Sequence, residues 1–285
     1  MLIDTHCHIH DRDTYDFALS RQQIGKKLIR RFPSIPRVAD DFTPDKIIAR
    51  AHKNGVMQMI CIGTSHQDSM VACTFSKNHQ KDGVFWSYGI HPDEAESNYE
   101  ELESLSKLPL LPVAIGEIGL DYCNIKDTPS TPDSKKVRTA QIRLFEQMLA
   151  LAVDNHLPAI FHVRDAYEDF FAVLRNFPKA IGVVHSFSDT RENLEKSLNS
   201  GFYIGVNGLA TFATEIPLPP VERMLLETDA PFLTPEPFRG TINEPAHIKD
   251  ICANISVRLK ITEEELEGRT TENARQLFKL SNASL

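Results

Sequence analysis

One feature limits the fold more than any other: short apolar runs of β character alternate with helical stretches along the whole chain. The β-like runs cover residues 2–3, 56–63, 84–90, 112–117, 158–162, 181–185, 202–206 and 224–229. Between them, Thr43 reads as a helix N-cap with Pro44 at the first helical position. Ile142, Phe145, Met148, Leu149 and Ala152 fall at helical spacing. The tail from His247 reads as helical, and Thr262-Glu263-Glu264-Glu265 is a capping-box signature. About eight strands separated by helices imply a parallel sheet. The 285 residues are near the ~250 typical of a (β/α)8 barrel. A doubly wound sheet is the alternative. No internal repeat, low-complexity tract or linker interrupts the pattern, and the polar run Ser130-Thr131-Pro132-Asp133-Ser134 fits as a loop. The expected architecture is one α/β domain, a (β/α)8 TIM barrel over residues 1–285.

Composition narrows the function classes. No apolar run approaches the roughly 20 residues of a membrane helix. The start, Met1-Leu2-Ile3-Asp4-Thr5-His6, has no basic region and no long apolar stretch, so no signal peptide is expected. The five cysteines are scattered and lack C-x-x-C spacing, so a reducing, cytoplasmic setting without disulfides is expected. The formal net charge is -8. Whole-molecule attraction therefore does not recruit a polyanion, and a nucleic-acid partner would need a local patch or bound metal. Neither a membrane nor an obligate protein partner is indicated.

Chemistry concentrates at strand ends. His6 and His8 close the first strand, and Glu117, His162, His185 and Asp229 each end a later one. In barrels the C-terminal ends of strands carry the chemistry, so these six converge on one face. Residues two apart in a strand point the same way, which lets His6 and His8 grip one ion. Imidazoles and carboxylates suit Zn²⁺ or Mn²⁺, and carboxylates also suit Mg²⁺. An isolated H-x-H recurs by chance; six ligand-type residues at one end of five strands do not.

These residues sit in runs that resemble the TatD-type metal-dependent deoxyribonucleases of the amidohydrolase-like barrel superfamily. The runs are Asp4-Thr5-His6-Cys7-His8, Gly89-Ile90-His91-Pro92, Gly116-Glu117-Ile118-Gly119-Leu120-Asp121-Tyr122, His162-Val163-Arg164-Asp165-Ala166, His185-Ser186-Phe187-Ser188 and Leu226-Glu227-Thr228-Asp229-Ala230-Pro231-Phe232-Leu233. Arg239-Gly240 and Asn243-Glu244-Pro245 close the series. The resemblance implies two divalent cations, Mg²⁺, Mn²⁺ or Zn²⁺. His6, His8 and Asp229 would hold the first, Glu117 would bridge, and His162 and His185 would hold the second. It implies phosphodiester hydrolysis in DNA by a two-metal-activated water, 3′-5′ exonucleolytic on single strands, with Asp229 as general base. No lysine ends a middle strand in ligand position, so Glu117 replaces the carboxylated lysine of many amidohydrolases.

Neighbouring residues carry paired readings. His91 either reaches the substrate phosphate or braces its strand end. Arg164 grips phosphate, and Asp165 orients a ligand, or the two form a structural ion pair. Glu227 is expected to hydrogen-bond a ligand histidine rather than ligate. Arg239 and Asn243 are expected to brace a loop, and Cys7 to pack away from the metals. The stretch at about 18–42 is longer than the family's and contains Arg21, Lys26, Lys27, Arg30, Arg31 and Arg37. It reads as a basic flap over the catalytic face or as a solvated surface helix. Two rival functions share the fold: hydrolysis of a small phosphoester, cyclic amide or lactone, and a low-turnover metal-containing binding protein.

Overall fold

The computed structural model describes residues 1–24, 42–95, 105–125 and 132–281. Eight parallel strands follow one another around a single sheet in chain order. They are β1 (Leu2–Cys7), β2 (Val56–Ile62), β3 (Val84–Tyr88), β4 (Ala114–Asp121), β5 (Ala159–Arg164), β6 (Gly182–Val184), β7 (Tyr203–Val206) and β8 (Met224–Leu226). A parallel bridge from Cys7 to Ala230 returns the chain beyond β8 to β1. The side chain of Thr5 adds a hydrogen bond to the carbonyl of Leu226 across the same seam. The sheet thus closes into a (β/α)8 barrel. Around it lie α1 (Arg12–Ile24), α2 (Pro44–Lys53), α3 (His66–Asn78), α4 (Pro132–Asp154), α5 (Tyr167–Leu174), α6 (Arg191–Asn199), α7 (Ile248–Leu259) and α8 (Glu263–Phe278).

The two-residue period of the strands sorts side chains into two layers. Ile60, Ile62, Ile160, Val183 and Leu225 belong to one buried cluster, joined by Ala274, Leu277 and Phe278 of α8. Met59, Cys61, Trp86, Phe161 and Val184 belong to a second, packed with the surrounding helices. Within that outer layer Phe161 meets Phe170 at 5.3 Å and Phe202 at 5.0 Å between ring centres. Such edge-on pairs contribute about 0.5–1.5 kcal/mol beyond their burial. Period two also means that Ile160 lies beneath His162, Val183 beneath His185 and Leu225 beneath Glu227. An apolar layer therefore floors the polar one.

Several expectations shift. The fourth strand continues four residues past Glu117, because its pairing with β5 slips between Ile115 and Ile118 and resumes as far as Asp121 opposite Arg164. Such an irregularity re-aims a side chain without ending the strand. Pro132, Asp133 and Ser134 open α4 rather than sit in a loop; proline is well placed at a first helical position. Thr43 occupies the N-cap of α2, but its side chain makes no capping bond. Thr262 does cap α8, accepting from the Glu265 amide at 3.1 Å. The basic stretch at about 18–42 overlaps the end of α1, and its residues 25–41 lie outside the described residues. No helix is long and apolar enough to cross a membrane among the described residues.

Candidate metal centre

The six strand-end residues meet at the carboxyl-terminal mouth of the barrel. His6 lies within β1 and His8 just past it; Glu117 sits at the irregularity of β4; His162 lies in β5. His185 follows β6 directly, and Asp229 comes three residues after β8. Glu117 is the hub. Its Oε1 is 2.6 Å from His162 Nδ1 and 3.1 Å from His185 Nε2, and its Oε2 is 3.6 Å from His6 Nε2. Asp229 Oδ1 stands 3.5 Å from both His6 Nε2 and His8 Nε2. A pocket of about 340 Å³ opens above, lined by His8, His91, Glu117, His162, His185 and Asp229 among others.

Two glycines make this packing possible. A Cβ at Gly89 would lie 2.1 Å from the carbonyl carbon of Gly116 and 2.2 Å from the amide nitrogen of Glu117. The chain leaving β3 therefore passes against the hub's own peptide. A Cβ at Gly205 would lie 2.3 Å from Glu227 Oε2, so that glycine clears room for a buried carboxylate.

The donor set fits a cation better than hydrogen bonding alone. Both ring nitrogens of His6 are buried without a hydrogen-bond partner. Burying such a group unpaired costs about 1–3 kcal/mol. The spacings of 3.5–3.6 Å from His6 Nε2 to two carboxylates are long for hydrogen bonds. They suit ligands sharing an ion: donors ~2.1 Å from one centre in tetrahedral geometry lie about 3.4 Å apart. The ligand atoms of His6, His8 and Glu117 all lie within 4.8 Å of one another, as do those of His91, Glu117 and His162.

Charge follows the same geometry. Burial pushes Glu117 upward, but the charge of His185, the hydrogen bond from His162 and the nearby imidazoles of His185 and His6 hold it well below the usual range. Burial likewise opposes ionisation of Asp229; the nearby His8 imidazole and the charges of His185 and His6 outweigh it. In return, Glu117 and Glu227 lift His185 well above its ordinary value against burial. Asp121 and Glu117 lift His162 to about 9, also against burial. Burial and the neighbouring His185 hold His6 low. The raised basicity of His162 and His185 sets protons and cations in competition for this site. Cation binding would expel the protons.

An outer ring of polar groups fixes the ligands. Glu227 Oε1 lies 3.2 Å from His185 Nδ1 and accepts the Ser186 amide at 2.6 Å. Asp121 Oδ2 lies 3.1 Å from His162 Nε2, while its Oδ1 accepts the Cys123 amide at 2.8 Å. Buried Gln141 of α4 clasps the Asp121 backbone from both sides, at 3.0 Å each. Buried Asp4 accepts from the Thr228 amide at 2.9 Å and its hydroxyl at 2.5 Å, tying β1 to the turn that carries Asp229. That turn places Asp229 at φ 57°, a left-handed conformation that aspartate tolerates better than most residues.

The remaining expected residues sit at the rim. His91 Nδ1 accepts the Asp93 amide at 3.2 Å, which leaves the proton on Nε2, 3.9 Å from Glu117 Oε1. Arg164 and Asp165 follow at the exposed end of β5, with Asp165 at φ 57°. Asn243 Nδ2 donates to the carbonyls of Thr228 at 2.8 Å and Phe232 at 2.6 Å, bracing the turn. Arg239 lies 3.5 Å over the Phe212 ring. Cys7 packs in the outer layer, its thiol toward the Ile60 carbonyl.

Sequence reasoning missed Asp121 as a partner of His162. Ending the fourth strand at Glu117 hid it; continued at period two, the strand puts Asp121 on the face of Glu117. It also missed His10, buried beside His8 with Nε2 3.0 Å from Asp68 Oδ1. No motif signals that pair.

A closed barrel with a buried histidine–carboxylate cluster at its carboxyl-terminal mouth is the architecture of a metal-dependent hydrolase. The chain belongs to the TatD family: the model of TatD related DNases matches residues 3–279. A relative from Bacillus subtilis, the uncharacterized metal-dependent hydrolase YabD, is 30% identical over 99% of this chain and 100% of its own length. The 3′-5′ ssDNA/RNA exonuclease TatD of Erwinia tasmaniensis is 34% identical, covering 83% of this chain and 93% of its own. Among solved structures, the TatD homologue YjjV of Escherichia coli superposes with a TM-score of 0.75 at 26% identity, over 98% of both chains.

Proposed function

We propose that this chain, as a single barrel, hydrolyses phosphodiester bonds in DNA, acting as a 3′-5′ exonuclease on single strands with two divalent cations. The observation that carries the reading is the Glu117 hub with the partnerless His6 nitrogens beside it. The name of the 34% identical exonuclease supplies the substrate class. His6, His8 and Asp229 would hold one ion and His162 and His185 the other, with Glu117 between them. Bound cations supply Lewis acidity, screening phosphate charge and acidifying water; a histidine-rich set suits Zn²⁺ or Mn²⁺.

The chain's own groups divide the remaining work. Asp229, kept ionised by its histidine neighbours, receives the proton of the attacking water at its carboxylate. His91 presents its Nε2 proton to the pocket and donates to a phosphate oxygen; burial depresses its basicity against the pull of Glu117. Arg164 at the exposed end of β5 adds a positive contact for the phosphate backbone. Glu227 and Asp121 orient His185 and His162.

The test is hydrolysis of end-labelled single-stranded DNA by chelator-stripped protein, with Mg²⁺, Mn²⁺ or Zn²⁺ restored separately, alongside Asp229→Ala. Metal-restored cleavage that shortens strands from the 3′ end and vanishes in the variant supports the reading. No cleavage with any ion, in protein shown to hold metal, moves the function to a small ester, cyclic amide or lactone.

A further inference from the structure

We infer that Phe232 is a stacking platform for a nucleobase next to the scissile phosphate, and that it makes the site selective for nucleic acid over small esters. The inference rests on the nuclease reading above. Phe232 is 39% exposed, one of a handful of large hydrophobic side chains left open to solvent among the described residues. It also lines the pocket that holds Glu117, His91 and Asp229. An apolar ring at the mouth of a charged pocket forfeits burial that a core position would supply. Its place suits a ligand with an apolar face.

The backbone that carries the ring is also held where it stands. The Phe232 amide donates to the Asp229 carbonyl at 2.8 Å. Its carbonyl accepts from Asn243, which is fully buried and grips the Thr228 carbonyl with the same amide group. The Asn243 amide donates to the Pro231 carbonyl at 3.1 Å. The turn from Asp229 to Phe232 is thus pinned at both ends, so the Phe232 side chain always leaves the backbone at the same place beside the candidate base Asp229. A rigid aromatic face loses little conformational freedom on contact. Every nucleobase has a π-face to match, which gives affinity without reading sequence.

Charge supports the same occupant. The chain carries a formal charge of -8, so long-range attraction does not hold a polyanion, and affinity has to come from short-range contacts. Stacking is short-ranged and insensitive to salt, so it suits an acidic enzyme. A small ester or lactone has no planar base for the ring to cover.

The experiment compares kcat/KM of wild type, Phe232→Ala, Phe232→Leu and Phe232→Trp on two single-stranded oligonucleotides. One is ordinary; in the other the three 3′-terminal nucleotides are abasic. Melting curves confirm that the exposed substitutions leave the fold intact. On the ordinary strand, Phe232→Ala falls about tenfold to a hundredfold, Phe232→Leu falls nearly as far, and Phe232→Trp stays near wild type. On the abasic strand wild type is already slow, and the variants match it within about twofold. Equal losses on both strands, or no loss on either, overturn the inference and leave the nuclease reading standing. Wild-type inactivity on every oligonucleotide overturns both.

Discussion

Replacing Asp121 with asparagine tests one hydrogen bond at the candidate metal centre without changing side-chain volume. The carboxylate serves two donors with separate oxygens, the Cys123 amide at 2.8 Å and His162 Nε2 at 3.1 Å. Asparagine can keep only one of them. If its oxygen stays on the Cys123 amide, its NH₂ group faces His162 Nε2, and donor meets donor. His162 then relieves the conflict by moving its proton to Nδ1. That nitrogen faces Glu117 Oε1 at 2.6 Å, and once protonated it has no lone pair for a cation. Charge-assisted hydrogen bonds contribute about 1.5–3 kcal/mol, and loss of a partner behind a ligand histidine typically costs 10–100-fold in metal affinity. Calorimetric titration of stripped protein with Zn²⁺ or Mn²⁺ should therefore show one of two binding events weakened by about that factor. The stripped variant should still unfold in one transition but melt about 3–12 °C lower, since ~1 kcal/mol moves a large domain by roughly 2–4 °C. Unchanged affinity for both ions in folded Asp121→Asn would refute the tautomer argument.

Two further outcomes follow from the same geometry. Glu117→Ala should lose metal and more than about a hundredfold of activity, because several kcal/mol of charge stabilisation leave with the ions, while the apolar barrel layers keep the fold; full activity in metal-replete variant protein would contradict the hub. Asp68→Asn should cost about 3 kcal/mol in urea unfolding by stranding buried His10. Its pH dependence has a definite sign. Burial lowers His10, but Asp68 and Cys61 together raise it from 6.5 to about 10, so its contribution is full below 6.5 and fades as pH rises through about 10. Burial raises Asp68, but His10 brings it from 3.8 to about 2, so its share is full above 3.8 and is lost as pH falls through about 2. The difference between wild type and variant should peak between those limits and shrink by pH 10. A constant difference from pH 5 to pH 10 would contradict the pairing.

The alternation of apolar runs with helical spacing was enough to order the strands of this barrel, because each strand buries both faces and reads as a continuous apolar segment. The six candidate ligands were visible for a related reason: a histidine or carboxylate at the end of an apolar run interrupts it. Asp121 escaped because the pairing of β4 slips at Gly116-Glu117, and nothing local in the residues marks where pairing resumes. His10 and Asp68 escaped because they come from β1's exit and α3, 58 residues apart; only the pairing of β1 with β2 brings them together. Phe232 was visible as part of a motif. Its exposure depends on how Asn243 pins the turn, a contact made across a loop rather than along a strand.

The proposed function stands or falls with a two-cation centre built around Glu117. Anomalous diffraction from crystals grown with Mn²⁺ tests it most directly. Two peaks are expected about 3.5–4 Å apart, one among His6, His8 and Asp229, the other beside His162 and His185, with Glu117 reaching both. A single peak, or peaks away from Glu117, would contradict it.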